Sequence, residues 1–323
     1  MANTKIIKQK IKATTSIKKI TKTMEMVAVS KMKKSVKEST DISEYIKEIK
    51  FVINNIKSES LEKNRLFASE VKGAGDSKTD ELVIIFASNK GLCGSYNTNI
   101  YKKTKKLKEE NSNLKYAVCF GKFAEKIARK LGLEIKLSYL EIEKLLKPSQ
   151  ISRVENFVRE MYLNGEVGKV HAVYTNFVKM GLFEPRAVTI YPVSKNLNVY
   201  DQDLGGNVAF TSDDMSLHPN EGNSPQRGDV LQGKTEGVIK SQYVFEPSLT
   251  DLIDKTIPKI IKMILYSFVL ESRASENSSR SFAMKRANES AGEMLRTLKI
   301  KFNRVRQDGI TQEIAEISAG ASA

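Results

Sequence analysis

Tryptophan is missing from this 323-residue chain, and cysteine and histidine occur twice each. Two cysteines, Cys93 and Cys119, cannot supply a disulfide framework, and their apolar, strand-like surroundings mark them as reduced core thiols. His171 and His218 stand apart, and no Cys/His spacing matches a metal site, so no metal is expected. The chain has no G-x-x-x-x-G-K-[ST] run and no G-x-G-x-x-G after its first strand-like segment, which excludes the common phosphate cradles. Nor can a nucleophile, a base and an orienting group be assembled from the sequence, so neither catalysis nor a cofactor is expected. No segment approaches the roughly 18 to 20 apolar residues of a bilayer-spanning helix. The nearest, from Ile257 to Leu270, is broken by Pro258, Lys259 and Lys262. The first residues are charged from Lys5 onward with no apolar core of a leader, so no signal peptide is expected and the cytoplasm is the expected compartment.

Proline and glycine are also absent from Lys5 to Lys57, where Ile7, Ile11, Ile17, Ile20, Met24, Val27, Met32, Val36, Ile42, Tyr45, Ile49, Val52 and Ile56 recur mostly every three or four residues. The segment from Ser248 onward has the same character, with Ala283, Ala287, Ala291, Met294, Leu298, Phe302 and Val305 in step. Both read as long helices with one narrow apolar stripe, which suits a two-helix seam. At about 1.5 Å per residue the N-terminal helix spans roughly 80 Å and the C-terminal one roughly 105 Å, so the latter should project beyond its partner. The projecting end, Ala319-Gly-Ala-Ser-Ala323, is small and uncharged. Net charge is +15, and residues 1–57 hold 14 Lys against 5 Asp and Glu. Such a balance suits an acidic protein partner or nucleic acid. Tyr45 and Phe51 are the only aromatics of that segment, which is poor equipment for stacking on single strands.

Between the helices, strand-like runs at 81–88, 116–120, 133–140, 170–177 and 187–193 alternate with helical patterns at 96–110, from Phe123 to a C-capping Gly132, and from Pro148 onward. The expected fold class is therefore α/β: a long antiparallel coiled coil of the terminal helices plus a small Rossmann-like α/β domain with a mostly parallel sheet. The expected division is 1–57 for the first shaft helix, 78–200 for the globular domain, 201–240 for a polar mobile insertion, 241–247 for a last strand and 248–323 for the second shaft helix. The insertion is rich in Gly, Asp, Asn and Ser and shows no periodicity.

Three segments become informative together: Ile17-Lys-Lys-Ile-Thr-Lys-Thr-Met-Glu-Met-Val-Ala-Val-Ser-Lys-Met32, Ser88-Asn-Lys-Gly-Leu-Cys-Gly-Ser-Tyr-Asn-Thr-Asn99 and Phe302-Asn-Arg-Val-Arg-Gln-Asp-Gly-Ile-Thr-Gln-Glu-Ile-Ala-Glu-Ile317. In this order and at these separations the chain closely resembles the gamma subunits of F-type ATP synthases. Arg280 and Met284 also fit that family's pattern, whereas Asn89 and Lys90 stand where it commonly has an acidic residue and arginine. Segment 201–240 is longer than in compact bacterial relatives and lacks the two cysteines of the chloroplast redox insertion.

The resemblance implies a non-catalytic rotor shaft that couples rotation of a membrane c ring to ATP synthesis or hydrolysis on beta subunits. The implied partners are the alpha and beta subunits, the epsilon subunit and the c-subunit ring, with no nucleic acid and no cofactor. The implied location is peripheral, at the cytoplasmic face of a bacterial plasma membrane. Carried over residue by residue, Arg306, Gln307, Thr311, Gln312, Glu313 and Met24 would contact a beta subunit, and Tyr243 and Glu246 the c ring. Gly91 and Gly94 would serve a tight turn. Two other classes compete: a basic coiled-coil nucleic-acid-binding protein, and a stand-alone α/β enzyme with helical arms. A DNA-binding rod has no need of the small-residue tip, and the empty motif search disfavours the enzyme.

The composition of 201–240 cannot bury enough apolar surface to offset an ordering entropy of roughly 1 to 2 kcal/mol per residue. Replacing residues 203–238 by a short Gly/Ser bridge is expected to leave assembly with alpha and beta subunits intact, as read by co-purification. Loss of the complex would make the segment structural.

Overall fold

The computed structural model describes residues 2–54, 66–67, 79–140, 148–193 and 249–321. In chain order the elements are α1 (Ala2–Asn54), β1 (Glu81–Phe86), α2 (Tyr96–Glu110), β2 (Leu114–Phe120), α3 (Lys122–Lys130), β3 (Glu134–Tyr139), α4 (Pro148–Leu163), β4 (Lys169–Lys179), β5 (Leu182–Tyr191) and α5 (Leu249–Ala321). α1 and α5 have 53 and 73 residues, rods of about 80 and 110 Å. Residues 55–57, the insertion 201–240 and the expected strand 241–247 lie outside the described residues.

The strands form one sheet in the order β3-β2-β1-β4-β5. β1 pairs in parallel with β2 and β4, and β2 with β3, while β4 and β5 are antiparallel. β5 begins at Leu182, five residues before the expected 187, because a turn through Met180 and Gly181 folds it directly back on β4. Pro185 sits within it without penalty, since β5 is an edge strand and a missing N–H there breaks no ladder.

Side chains alternate across the sheet with period two. Leu82, Ile84 and Phe86 face one side with Val118, Phe120 and Tyr174, where Ile151, Val154 and Val158 of α4 and Ile257 to Val269 of α5 cover them. Val83, Ile85, Ala117 and Cys119 face the other side, under Ile100 and Leu107 of α2 and Ala124 and Ile127 of α3. The first turns of α5 are thus part of the globular core, and the Tyr174 ring stacks on Phe268 at 3.8 Å between centroids. Both cysteines are buried free thiols, and burial pushes Cys119 up to about 12, which keeps it an inert thiol.

His171 is buried at the start of β4, and its environment is structural rather than catalytic. Nε2 lies 3.1 Å from Glu81 Oε2 and Nδ1 lies 3.2 Å from Thr189 Oγ1, so the one ring ties β4 to both neighbouring strands. Lys169 Nζ stands 3.5 Å from the other Glu81 oxygen. Burial lowers the imidazole below its ordinary 6.5; the Glu81 carboxylate pulls the other way, and Lys169 adds to the lowering.

A depressed folded value means that the unfolded chain takes up the proton first as pH falls. The stability due to a neutral His171 is complete above about 6.5 and is lost as pH drops below it. Urea unfolding of the purified chain between pH 7 and pH 5 should show a slope of up to about 1.4 kcal/mol per pH unit from this group. The slope should shrink in His171→Gln.

Candidate functional site

α1 and α5 run antiparallel along a seam whose register is set by polar contacts. Thr14 Oγ1 lies 3.8 Å from Met294 Sδ, and Asn288 Nδ2 donates to Lys18 O at 2.7 Å and to Thr21 Oγ1 at 3.4 Å. The buried α1 residues facing α5 along the rod include Ile7, Thr14, Thr21, Ala28, Met32, Ser35 and Val36, and Ile46 further along α1 joins the core of the globular domain. This corrects the expected stripe: Ile17, Ile20, Val27 and Tyr45 are 53%, 57%, 48% and 52% exposed, and Met24 is half-buried. The physical reason is that a two-helix rod buries only one side of each member. Here threonine, serine and alanine take much of that side, which lets the backbones approach closely.

The displaced apolar residues are not scattered. At 100° per residue Ile6, Ile17, Ile20 and Val27 fall on one side of α1, with Met24 beside them, next to the seam. An apolar band of this kind is a surface made to be covered.

The same register places Ala2 opposite a residue near Arg306. From Gln307 to Ala321 α5 therefore runs on without its partner for roughly 20 Å. Arg306, Gln307, Thr311, Gln312 and Glu313 are all exposed there, and Thr311 Oγ1 donates to Gln307 O at 3.0 Å along the helix. The tip is not merely small: Ile310, Ile314 and Ile317, spaced four and three residues apart, are 48%, 62% and 72% exposed. Tyr243 and Glu246 lie outside the described residues.

The loop after β1 closes on itself. Asn97 Nδ2 donates to Ser88 Oγ at 2.7 Å, and Ser88 Oγ donates to Lys90 O at 2.8 Å. Gly94 takes the left-handed conformation at φ +56°, and so does Leu92 at φ 61°. Gly91 sits in the bend with open space around a would-be Cβ, so nothing there demands glycine. The loop's carbonyls are turned toward α5 rather than into a cleft: Cys93 O accepts from Ser279 Oγ at 2.6 Å and Lys90 O from Arg280 Nη2 at 3.3 Å. Periodicity gave no sign of these α5 partners, although Arg280 belongs to a sequence motif singled out above. Among the described residues no cluster of His, Cys, Asp and Glu could hold a metal ion, and no helix is long and apolar enough to cross a membrane.

With this geometry in view, comparisons with known proteins agree along the whole chain. The model of the family described as ATP synthase matches residues 3–323. The ATP synthase gamma chain of Chloroherpeton thalassium is 30% identical over 339 residues, covering 100% of this chain and 98% of that protein. The ATP synthase gamma chain of Cytophaga hutchinsonii is 29% identical over 329 residues, covering 100% and 99%. Among solved structures, a chain of the Euglena gracilis mitochondrial ATP synthase, in a structure of OSCP, F1 and c-ring, superposes with a TM-score of 0.62 at 15% identity, covering 100% of this chain and 94% of that one. A chain from the central stalk and c-ring of the Tetrahymena thermophila enzyme gives a TM-score of 0.55 at 19% identity, covering 83% and 99%. At these identities the structural likeness speaks for the fold, and the sequence relatives speak for the family.

The half-buried Asn288 side chain bonds the α1 backbone across the seam and should help fix its register, as an asparagine at a coiled-coil seam does. Asn288→Ala should therefore loosen the rod by about 1 kcal/mol. Hydrogen exchange of the α1 amides around Lys18 to Lys22 should accelerate about fivefold, with the sheet amides unchanged.

Proposed function

The chain belongs to the ATP synthase gamma-chain family, and on that premise we propose how its geometry serves a rotor shaft. It is the central rotor shaft of an F-type ATP synthase, a non-catalytic subunit that couples rotation to ATP synthesis or hydrolysis elsewhere in the complex. The observation that carries the mechanical reading is the exposed apolar band of α1 together with the lone isoleucine-bearing tip of α5. A free rod would not leave Ile17, Ile20, Ile310, Ile314 and Ile317 in water, whereas a rod inside a sleeve would cover them. The nucleic-acid alternative has no support among the relatives.

In finer detail, the rod of residues 1–57 and 248–323 stands inside a ring of alpha and beta subunits, and the domain of residues 78–200 sits outside on the c ring beside the epsilon subunit. The assembly lies at the cytoplasmic face of a bacterial plasma membrane. Arg306 and Gln307 grip a beta-subunit loop, with Thr311, Gln312 and Glu313 on the same helix and Met24 on the other. The support is positional: Arg306 and Gln307 are exposed beside the first residues of α1, from where α5 runs on alone. The guanidinium fork binds carboxylates in two-point fashion, which a rotating contact can make and release. Tyr243 and Glu246 contact the c ring. Rotation then changes which beta subunit meets which side of an asymmetric rod, and each step is a coupling free energy between shaft angle and site affinity.

Arg306→Ala with Gln307→Ala should leave the helix folded, since both residues are off the seam and alanine is the best helix former. Losing hydrogen bonds of a charged group, about 1.5 to 3 kcal/mol, should lower ATP synthesis and multisite hydrolysis together by roughly 10- to 100-fold. Lys33→Glu with Lys34→Glu is the control and should change either rate about threefold or less. Proton pumping and ATPase rates in reconstituted vesicles decide it. Wild-type rates in the alanine pair beside a dead lysine pair would place the coupling contact on α1 and overturn the assignment to α5. The chain alone should hydrolyse no ATP.

A further inference from the structure

The rotor-shaft reading leaves open how the globular domain holds the shaft against torque. α5 enters the domain through an apolar core formed with Ile257, Ile260, Ile261, Ile264, Phe268 and Val269. Apolar packing is non-directional. It resists separation of the helix from the sheet, but it resists turning of the helix about its own axis only weakly.

The next three turns are built differently. Ser272, Ser275, Ser278 and Ser279 are all buried in the helix. Serine is a mediocre helix former, and four buried hydroxyls in eight residues need partners. Each finds one in the globular domain, on a different backbone segment or a different atom. Thr175 N donates to Ser272 Oγ at 3.3 Å, and Ser275 Oγ donates to Thr175 O at 3.2 Å, both on β4. Gly181 N, in the β4–β5 turn, donates to Ser278 Oγ at 3.0 Å. Ser279 Oγ donates to Cys93 O at 2.6 Å, in the loop after β1. Arg280, held by Glu276 at 2.6 Å, adds Lys90 O of the same loop, and the Tyr96 hydroxyl of α2 donates to Ser272 O at 3.1 Å.

Two glycines let the backbones come this close. A Cβ on Gly94 would stand 3.3 Å from Ser279 Oγ, and one on Gly181 would stand 2.8 Å from the Phe282 ring; both residues have positive φ. By contrast, the Ser267 hydroxyl one turn earlier bonds to Ile264 O of its own helix and fixes nothing outside it.

We infer that this serine belt is the torque joint of the rotor: Ser272, Ser275, Ser278 and Ser279 lock the angle and height of α5 against the globular domain. Hydrogen bonds are directional, and these approach one side of the helix from β4, the β4–β5 turn and the glycine loop. Rotation or sliding of α5 breaks several together. The glycine loop and the Arg280 segment, 190 residues apart, are two halves of one clamp. The loop occupies the end of β1 where many folds of this topology hold a phosphate, and here it holds a helix instead.

The test uses the assembled, membrane-reconstituted complex with Ser275→Ala, Ser278→Ala and Ser279→Ala combined. ATP hydrolysis by detergent-solubilised complex, where the globular domain carries no load, should stay within about twofold of wild type, because the shaft inside the sleeve is untouched. ATP synthesis and ATP-driven proton pumping, which pass torque through the joint, should fall about tenfold. With the head fixed to a surface and a bead on the globular domain, rotational fluctuation of the bead should widen. Ser267→Ala should change none of these. Unchanged pumping and bead fluctuation in the triple variant would overturn the inference, and so would an equal fall in loaded and unloaded rates, which would mean general loss of structure. If the triple variant does not assemble, Ser279→Ala alone decides by the same two readouts. Failure of the wild-type chain to support hydrolysis with alpha and beta subunits would instead defeat the rotor-shaft reading.

Discussion

A helix of 73 residues cannot be held by its own hydrogen bonds alone, and α5 survives by changing partners along its length. It begins as a core helix under the sheet, becomes a polar insert among serines, pairs with α1 and ends alone. Each stretch has the chemistry of its surroundings. Isoleucine and phenylalanine meet the sheet, hydroxyls meet backbone carbonyls and amides, alanine and asparagine meet α1, and exposed arginine, glutamine and isoleucine occupy the free end. Everything functional about the chain depends on this being one uninterrupted rod, because only a continuous helix carries a twist from one end to the other.

The globular domain is organised around the entry of that rod. Its order, β3-β2-β1-β4-β5, puts β1 and β4 at the centre, and the loop after β1 and the turn after β4 are where α5 is gripped. The Rossmann-like topology is used as a socket. Its glycine loop contributes carbonyl acceptors to Ser279 and Arg280, the reverse of a phosphate cradle, which would contribute N–H donors. The two helices on the far face, α2 and α3, bury their apolar sides and leave lysines outward; they support the sheet, and α2 reaches α5 through its first residue, Tyr96.

The rod itself is a compromise between holding together and being covered by others. A seam of the most apolar residues would leave nothing for a sleeve. Instead Thr14, Thr21 and Ala28 occupy the seam while Ile17, Ile20 and Val27 face outward beside it. Hydroxyls and an asparagine give the seam a unique register at modest strength. The outward apolar side keeps its area for contacts that change with angle.

Residue spacing alone establishes the elements and the family. A proline- and glycine-free stretch with three- and four-residue periodicity can only be a long helix. Short β-branched runs between helical patterns can only be a covered sheet. Three motifs at long separation pointed to one family. Those signals are local, carried by spacing along the chain. Tertiary structure alone decided which side of each rod is buried. Periodicity identifies an apolar side of a helix but not whether the partner is the other helix or a different molecule, so it points Ile17, Ile20 and Val27 at a seam that threonine and alanine fill. It also decided what the glycine loop and the buried serines do. A serine in a helix looks the same in sequence whether its hydroxyl turns back to its own carbonyl, as at Ser267, or reaches across to another segment, as at Ser279, because that choice depends on which backbone stands within hydrogen-bond distance.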